Sequence, residues 1–198
     1  MTGPRDKREC AAYCGFTLLE TLIAVSILAL ATAAPLYSAN RAYVAATGAR
    51  DQLVASYLAQ EGIEYARALR DNAYLDAYTH NTPNTSIAAW NTFLYSGVDN
   101  MSIEVCRDGA VCTLDLTTPT VLKSCSGACT PLYRMNTKYT QRSDTGGTIT
   151  NFTRTLQAVD IKDGTGAVIE ERIDSTVRWQ SRGAAYAVTS SLHLTPWQ

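Results

Sequence analysis

Two histidines, His80 and His193, are the only ones among the 198 residues. One imidazole could serve as a base, but a multi-histidine metal site is excluded. An excess of one charge is also missing. Lys plus Arg number 17 and Asp plus Glu 18, for a net charge of −1, so the basic footprint of a dedicated nucleic-acid-binding domain is absent. Charged residues make up 18% of the chain, below the roughly one quarter usual in soluble domains. There is no GxxxxGK[ST], GxGxxG, HExxH or GxSxG, so the usual enzyme signatures are lacking.

What is present is unevenly spread. Phe16 to Asn40 reads FTLLETLIAVSILALATAAPLYSAN, and Glu20 is its one ionisable acid or base. The 24 residues from Phe16 to Ala39 would make roughly 36 Å of helix at about 1.5 Å per residue. A bilayer's hydrocarbon core is about 30 Å thick. The run has a spanning length and exceeds the short apolar region of a secretory signal. Before it stand Arg5, Lys7 and Arg8, against Asp6 and Glu9. Cations ahead of a first span stay in the cytoplasm. No second apolar run follows, which predicts a single-pass chain with its N-terminus inside and its C-terminal portion outside.

The run opens on Gly15-Phe16-Thr17-Leu18-Leu19-Glu20, after a polar, cationic leader. This pattern resembles the type IV prepilin family, which includes the pseudopilins of type II secretion. The resemblance implies cleavage between Gly15 and Phe16 by a prepilin peptidase, removal of residues 1–15, and methylation of the new amine on Phe16. Cys10 and Cys14 would leave with the leader. A lipoprotein signal would place its cysteine after the apolar run, and both precede it. A carboxylate within a membrane helix costs up to about 3 kcal/mol at the bilayer centre, and less near an end. Glu20 therefore reads as a functional residue with a charge partner, the alternative being a tolerated, interface-level Glu near a helix end. The resemblance implies the N-terminal amine of a neighbouring subunit, with charge neutralisation setting the register of helix stacking. Pro35 lacks an N–H and weakens a helix. In the family, a proline here marks a stretch that can lose helicity in the filament.

Beyond Arg41 the spacing predicts that the helix continues to about Tyr78. Val54, Leu58, Gly62, Tyr65 and Leu69 share one face, on which a sheet is expected to pack. Residues 79–101 read as a connection holding one short amphipathic helix, Ser86 to Tyr95. Trp90 within it is expected to pack in the core, with a binding role as the alternative, and His80 reads as a loop residue. From Met101 the periodicity becomes two. Ser102 to Leu116 reads as two arms about Asp108-Gly109, and 149–162, 168–181 and 184–194 read as three further strands with short turns. The fold class expected is α+β, a long N-terminal helix on an antiparallel sheet, which is also the pilin fold. The expected domains are a leader (1–15), a membrane-spanning half-helix (16–40), an amphipathic half-helix (41–78) and an extracytoplasmic globular domain (79–198).

Four cysteines remain after the leader: Cys106, Cys112, Cys125 and Cys129. An extracytoplasmic compartment favours disulfides, and four cysteines allow three connectivities. Local pairing, Cys106–Cys112 and Cys125–Cys129, is expected. A zinc site built from all four thiolates is the rival, although the spacings are not those of the usual CxxC pair. Ser190, His193 and Asp174 make a triad on paper, without a nucleophile elbow or oxyanion hole. Asp160 and Asp163 could line a calcium loop, but the EF-hand pattern is not met and a plain turn is the simpler reading.

No catalytic residue, cofactor or metal is assigned. The expectation is a structural subunit of a type IV pilus or related filament, a minor pilin. Its partners would be other pilin subunits, the prepilin peptidase, the inner-membrane assembly machinery and membrane lipid. The alternatives are a type II secretion pseudopilin and a membrane-anchored adhesin or binding module. The expected location is the inner membrane, then an extracytoplasmic filament.

Overall fold

The computed structural model describes residues 17–96, 101–116, 121–143 and 146–196. The first element is helix α1, Leu18–Thr79. It ends where Asn81 turns left-handed (φ 50°), just before Pro83. The chain divides into two compact units, residues 1–47 and 48–198.

In the first unit, α1 exposes its apolar side chains: Leu18 is 78% exposed and Leu30 74%. The hydroxyls in this stretch bond backward to their own helix. Thr21 donates to the Leu18 carbonyl (2.9 Å), Ser26 to Ile23 (2.8 Å) and Ser38 to Pro35 (2.9 Å). Their donors are thereby satisfied without water, as a lipid surround requires. Pro35 lies inside the helix.

Among the described residues, the second unit holds the rest of α1, helix α2 (Thr85–Tyr95) and eight strands. The strands are β1 (Cys112–Leu114), β2 (Leu122–Ser124), β3 (Tyr133–Met135), β4 (Lys138–Thr140), β5 (Thr148–Ile149), β6 (Phe152–Lys162), β7 (Val168–Ser181) and β8 (Ala184–Leu194). One antiparallel sheet has the order β2-β1-β6-β7-β8, and a small one the order β4-β3-β5. β6, β7 and β8 form the meander that period-two alternation predicts. The β7–β8 loop is Arg182-Gly183, with φ 53° and 81°, the two positive angles of a tight type I′ hairpin turn.

Ser102–Leu116 departs from expectation. Only Cys112–Leu114 is a strand, and Glu104–Cys106 is a single 3-10 turn. The Ile103 N–H donates to the Phe93 carbonyl (2.8 Å). This ties the segment to the end of α2 and takes it out of strand pairing. The turn at Asp108-Gly109 is real (φ 53° and 80°), but it joins a 3-10 turn to a strand. Cys106 is bonded to Cys112 (Cα–Cα 5.1 Å) and Cys125 to Cys129 (5.4 Å). The β3-β4-β5 sheet has no counterpart in the sequence reading, because strands of two or three residues are too short to show alternation.

The α1 face toward the sheet is mostly alanine: Ala55, Ala59, Ala66, Ala73 and Ala77 are buried with Leu58, Gly62, Ile63 and Leu69. Val54 and Tyr65, expected on this face, are only half-buried. The small side chains let the helix lie close on β6 and β7. The tightest point is Gly62, where an added methyl would strike the Ser175 hydroxyl and lie 3.2 Å from the Ser175 Cβ. That hydroxyl is buried without a hydrogen-bond partner. Trp90 packs in the core, 6% exposed, and its indole N–H donates to the Val168 carbonyl (2.9 Å).

The close approach makes Gly62→Ala destabilising. Overpacking costs roughly 1–3 kcal/mol, which outweighs a helix-propensity gain of at most about 1 kcal/mol. Chemical denaturation should show the loss. Ser175→Ala alone should be near neutral and should recover part of the loss in the Gly62→Ala background. An unchanged midpoint for Gly62→Ala would contradict this packing.

Candidate functional site

The start of α1 is built by local rules. Thr17 precedes the first helical residue, and its hydroxyl accepts a hydrogen bond from the Glu20 N–H (3.2 Å). Threonine at the cap position with glutamate three residues on is the capping-box spacing. Glu20 therefore stands in the first turn, where the helix N-terminus favours an anion. It is exposed, as are Leu18, Leu19, Leu22 and Ile23 around it. The result is one carboxylate at the head of an uncovered apolar rod. Gly15 and Phe16, the expected cleavage pair, lie outside the described residues.

The far end of the apolar run also has an interfacial character. Arg41 Nη2 donates to the Tyr37 hydroxyl (2.6 Å), and the Arg41 guanidinium lies 5.2 Å from the centre of the Tyr37 ring. Tyr43 is 66% exposed nearby in sequence. Tyrosine and a long cation at the end of an apolar span are the side chains that settle at headgroup level. Among the described residues, α1 is the one helix long and apolar enough to cross a membrane. The chain is anchored by this N-terminal helix.

The other candidates separate in the structure. On β8, alternation puts Ser190 and His193 on opposite faces of the sheet. Asp174 accepts from Ser191 (2.7 Å) and Arg172 (3.2 Å), while His193 contacts Glu170. The paper triad is thus not assembled. Asp163 is consumed by its own turn. Its Oδ1 accepts from the Thr165 N–H (2.8 Å), the Thr165 hydroxyl (2.7 Å) and the Ala167 N–H (3.0 Å). The Thr165 hydroxyl holds its carboxyl below the ordinary carboxylate range. Asp160 is paired with Arg107 and Lys162. Among the described residues, no group of three or more His, Cys, Asp or Glu could hold a metal ion. His80 is exposed just past α1 and contacts the Asp76 carbonyl (2.9 Å). The sequence reading passed over Tyr37 and Arg41 as a pair. Their spacing of four at the end of an apolar run was the available signal.

Residues 10–34 match the family model described as the prokaryotic N-terminal methylation motif. No curated protein and no solved structure matches the chain. The match takes in Gly15, Phe16, Glu20 and most of the apolar run, which from Thr17 onward is an exposed helix with a carboxylate in its first turn. Proteins of this motif are structural subunits, processed by prepilin peptidase and assembled with other pilin subunits. In this N-terminal stretch the chain is similar to the type IV prepilins and pseudopilins.

Proposed function

We propose that the chain is a minor pilin, a structural subunit of a type IV pilus or related filament. Residues 1–15 are its leader, cut after Gly15, and Phe16 carries the new, methylated amine. The apolar half of α1 holds the subunit in the inner membrane with the leader on the cytoplasmic side. The domain beyond residue 78 is exported, where the Cys106–Cys112 and Cys125–Cys129 bonds persist. In the filament the apolar helices pack together, and Glu20 pairs with the Phe16 amine of a neighbour.

The observation that carries this reading is the exposure of the apolar run from Thr17 onward with a single carboxylate in its first turn. A lipid-facing anchor needs no charge at that depth. A subunit interface does, because each neighbour brings one buried amine. The same N-terminus serves a type II secretion pseudopilin. The neighbouring genes discriminate between them: a retraction ATPase goes with a pilus, an outer-membrane secretion set with a pseudopilin.

Two experiments test the proposal. Gly15→Val should crowd the cleavage site and leave a membrane protein of full length. Intact mass of the wild-type protein should show loss of residues 1–15, with or without one methyl. Mature protein beginning at Met1 in cells with active peptidase would refute the leader.

Glu20→Ala should leave insertion and cleavage intact, since neither needs the charge. Assembly should fail, because an unpaired buried amine costs roughly 3–5 kcal/mol. Glu20→Gln should be nearly as harmful, as it keeps size and loses charge. Fractionation should find both variants in the inner membrane and missing from sheared filaments. Wild-type amounts of Glu20→Ala in filaments would reduce Glu20 to a tolerated residue at a helix end.

A further inference from the structure

Far from the N-terminal motif, the second unit buries a charge cluster that neither the fold nor the proposed function requires. Asp160 on β6 and Glu171 on β7 are direct cross-strand partners, so their side chains leave the sheet on the same face. Both face one cation, Arg107. Arg107 Nη2 donates to Asp160 Oδ1 (2.6 Å) and Arg107 Nε to Glu171 Oε1 (3.4 Å). The Arg107 side chain is 2% exposed and that of Glu171 0%. Lys162 reaches Asp160 Oδ2 from the solvent side (3.3 Å).

Arg107 also holds the elements that cover the cluster. Its Nη1 donates to the Leu94 carbonyl (3.1 Å) near the end of α2, and its guanidinium lies 4.5 Å from the Tyr95 ring centre. It follows Cys106 inside the ring closed by the Cys106–Cys112 bond. The α2 end and the 102–110 loop thus form a cap over β6 and β7 in which Arg107 supplies the polar tie beside the buried Trp90, Phe93 and Leu94. Tyr95 is the other titratable side chain against Arg107. Leu194 faces Glu171 from β8, and the buried residues of α1 are all uncharged. Glu104 and Asp108, the acids on the cap loop, are exposed.

Two carboxylates in a dry site share one buried cation, and Glu171 Oε2 has no hydrogen-bond partner there. As a carboxylate oxygen it could only accept. With a proton it becomes a donor, and the acid facing it across the strands is Asp160. We propose that Glu171 is a carboxylic acid when the cap is closed, that it shares its proton with Asp160, and that losing this proton to water opens the α2 and 102–110 cap. The opening follows from hydration: an ionised Glu171 gains more from water than from half of one guanidinium. The device is a pH-sensitive latch on an exported domain, and it stands or falls independently of the N-terminal reading.

The direction follows from the two acids. Burial pushes the Glu171 carboxyl up to about 7, against the pull of Arg107 and with the help of Asp160. Burial also acts upward on Asp160, but Arg107 and Lys162 outweigh it and hold Asp160 below the ordinary range. Asp160 therefore stays ionised through the neutral range. The closed cap binds the Glu171 proton more tightly than the open one. Its extra stability is complete below the ordinary Glu value of 4.5 and is lost as the pH rises toward about 7. The opening constant should rise roughly tenfold per pH unit over that window and level off above it.

Hydrogen exchange by mass spectrometry, on the full chain in detergent micelles at pH 5, 6, 7 and 8, tests the latch. After correction for the intrinsic pH dependence of exchange, peptides spanning 85–110 should lose protection roughly tenfold per unit between pH 5 and 7. The β7–β8 hairpin should not. Glu171→Gln keeps a donor at this site and should make the cap's protection independent of pH. Asp160→Asn removes the acceptor charge and should flatten the slope between pH 6 and 7. Infrared titration of the wild type gives a reading free of any folding defect in the variants. A protonated-carboxyl stretch should be present at pH 6 and disappear by pH 8. A flat wild-type exchange profile, a slope that survives Glu171→Gln or Asp160→Asn, or no protonated carboxyl at pH 6 would each overturn the proposal.

Discussion

The placement of α1 on the sheet depends on a single guanidinium. Arg154 on β6 points into the core with 1% of its side chain exposed. It donates from Nη1 to the Leu58 carbonyl on α1 (3.2 Å) and to the Glu61 carboxylate, and from Nη2 to the Leu114 carbonyl on β1 (3.1 Å). Burial lowers its pKa, and Glu61 opposes the shift. A cation in this position is tolerable only if its partners are in place, so it sets where the helix and β1 must lie. Gln141 extends the network. Its amide donates to the carbonyls of Arg154 (2.9 Å) and Thr130 (2.9 Å), and its oxygen accepts from the Leu114 N–H (2.8 Å). The loop that carries the small sheet is thus tied to the large one by polar bonds as well as by Leu132, which packs with Phe152, Val177 and Trp179.

Around this pin the packing is close because the side chains are small. The apolar first stretch of α1 presents leucine, isoleucine and valine outward, and the later stretch presents alanine and Gly62 inward. Large exposed side chains suit lipid or other helices, where no sheet must approach. Small buried ones suit a twisted sheet, since each methylene removed lets the backbones come nearer. The two stretches of one helix are therefore addressed to different surroundings by side-chain size as much as by polarity.

The buried charges follow a common logic. Arg154 and Arg107 each join elements distant in sequence, and each satisfies backbone carbonyls as well as carboxylates. They differ in balance. Arg154 meets Glu61, which is partly exposed and reaches water. Arg107 meets two carboxylates, one of them wholly buried. The first arrangement is a fixed clamp. The second takes its other positive charge from the exposed Lys162 and leaves Glu171 Oε2 without a partner, which makes it sensitive to protons. The Cys106–Cys112 bond strengthens this contrast by holding Arg107 in a short ring beside the cluster.

The sequence by itself determined the parts governed by near neighbours. The apolar run and the place of Glu20 at its head were readable because span length and the Gly15-to-Glu20 hexad are local. The β6-β7-β8 meander was readable because two-residue alternation persists over 11 to 14 residues and positive-φ turn residues separate the strands. The α+β class follows from those two stretches alone. Tertiary structure decided the rest. Strands β1 to β5 have two or three residues each and exist by pairing with partners distant in sequence or with one another, β1 on the long β6 and β3, β4 and β5 among themselves, and the Ile103 segment became a 3-10 turn because α2 offered it the Phe93 carbonyl. The buried helix face keeps Leu58, Gly62 and Leu69 of the expected stripe but is otherwise mostly alanine, with Val54 and Tyr65 only half-buried, since periodicity marks a direction and only the approaching sheet selects residue size. Arg107, Arg154, Asp160 and Glu171 carry no local mark that separates them from ordinary surface charges. What buries them is the meeting of residues 53 to 96 positions apart, and no window along the chain contains that distance.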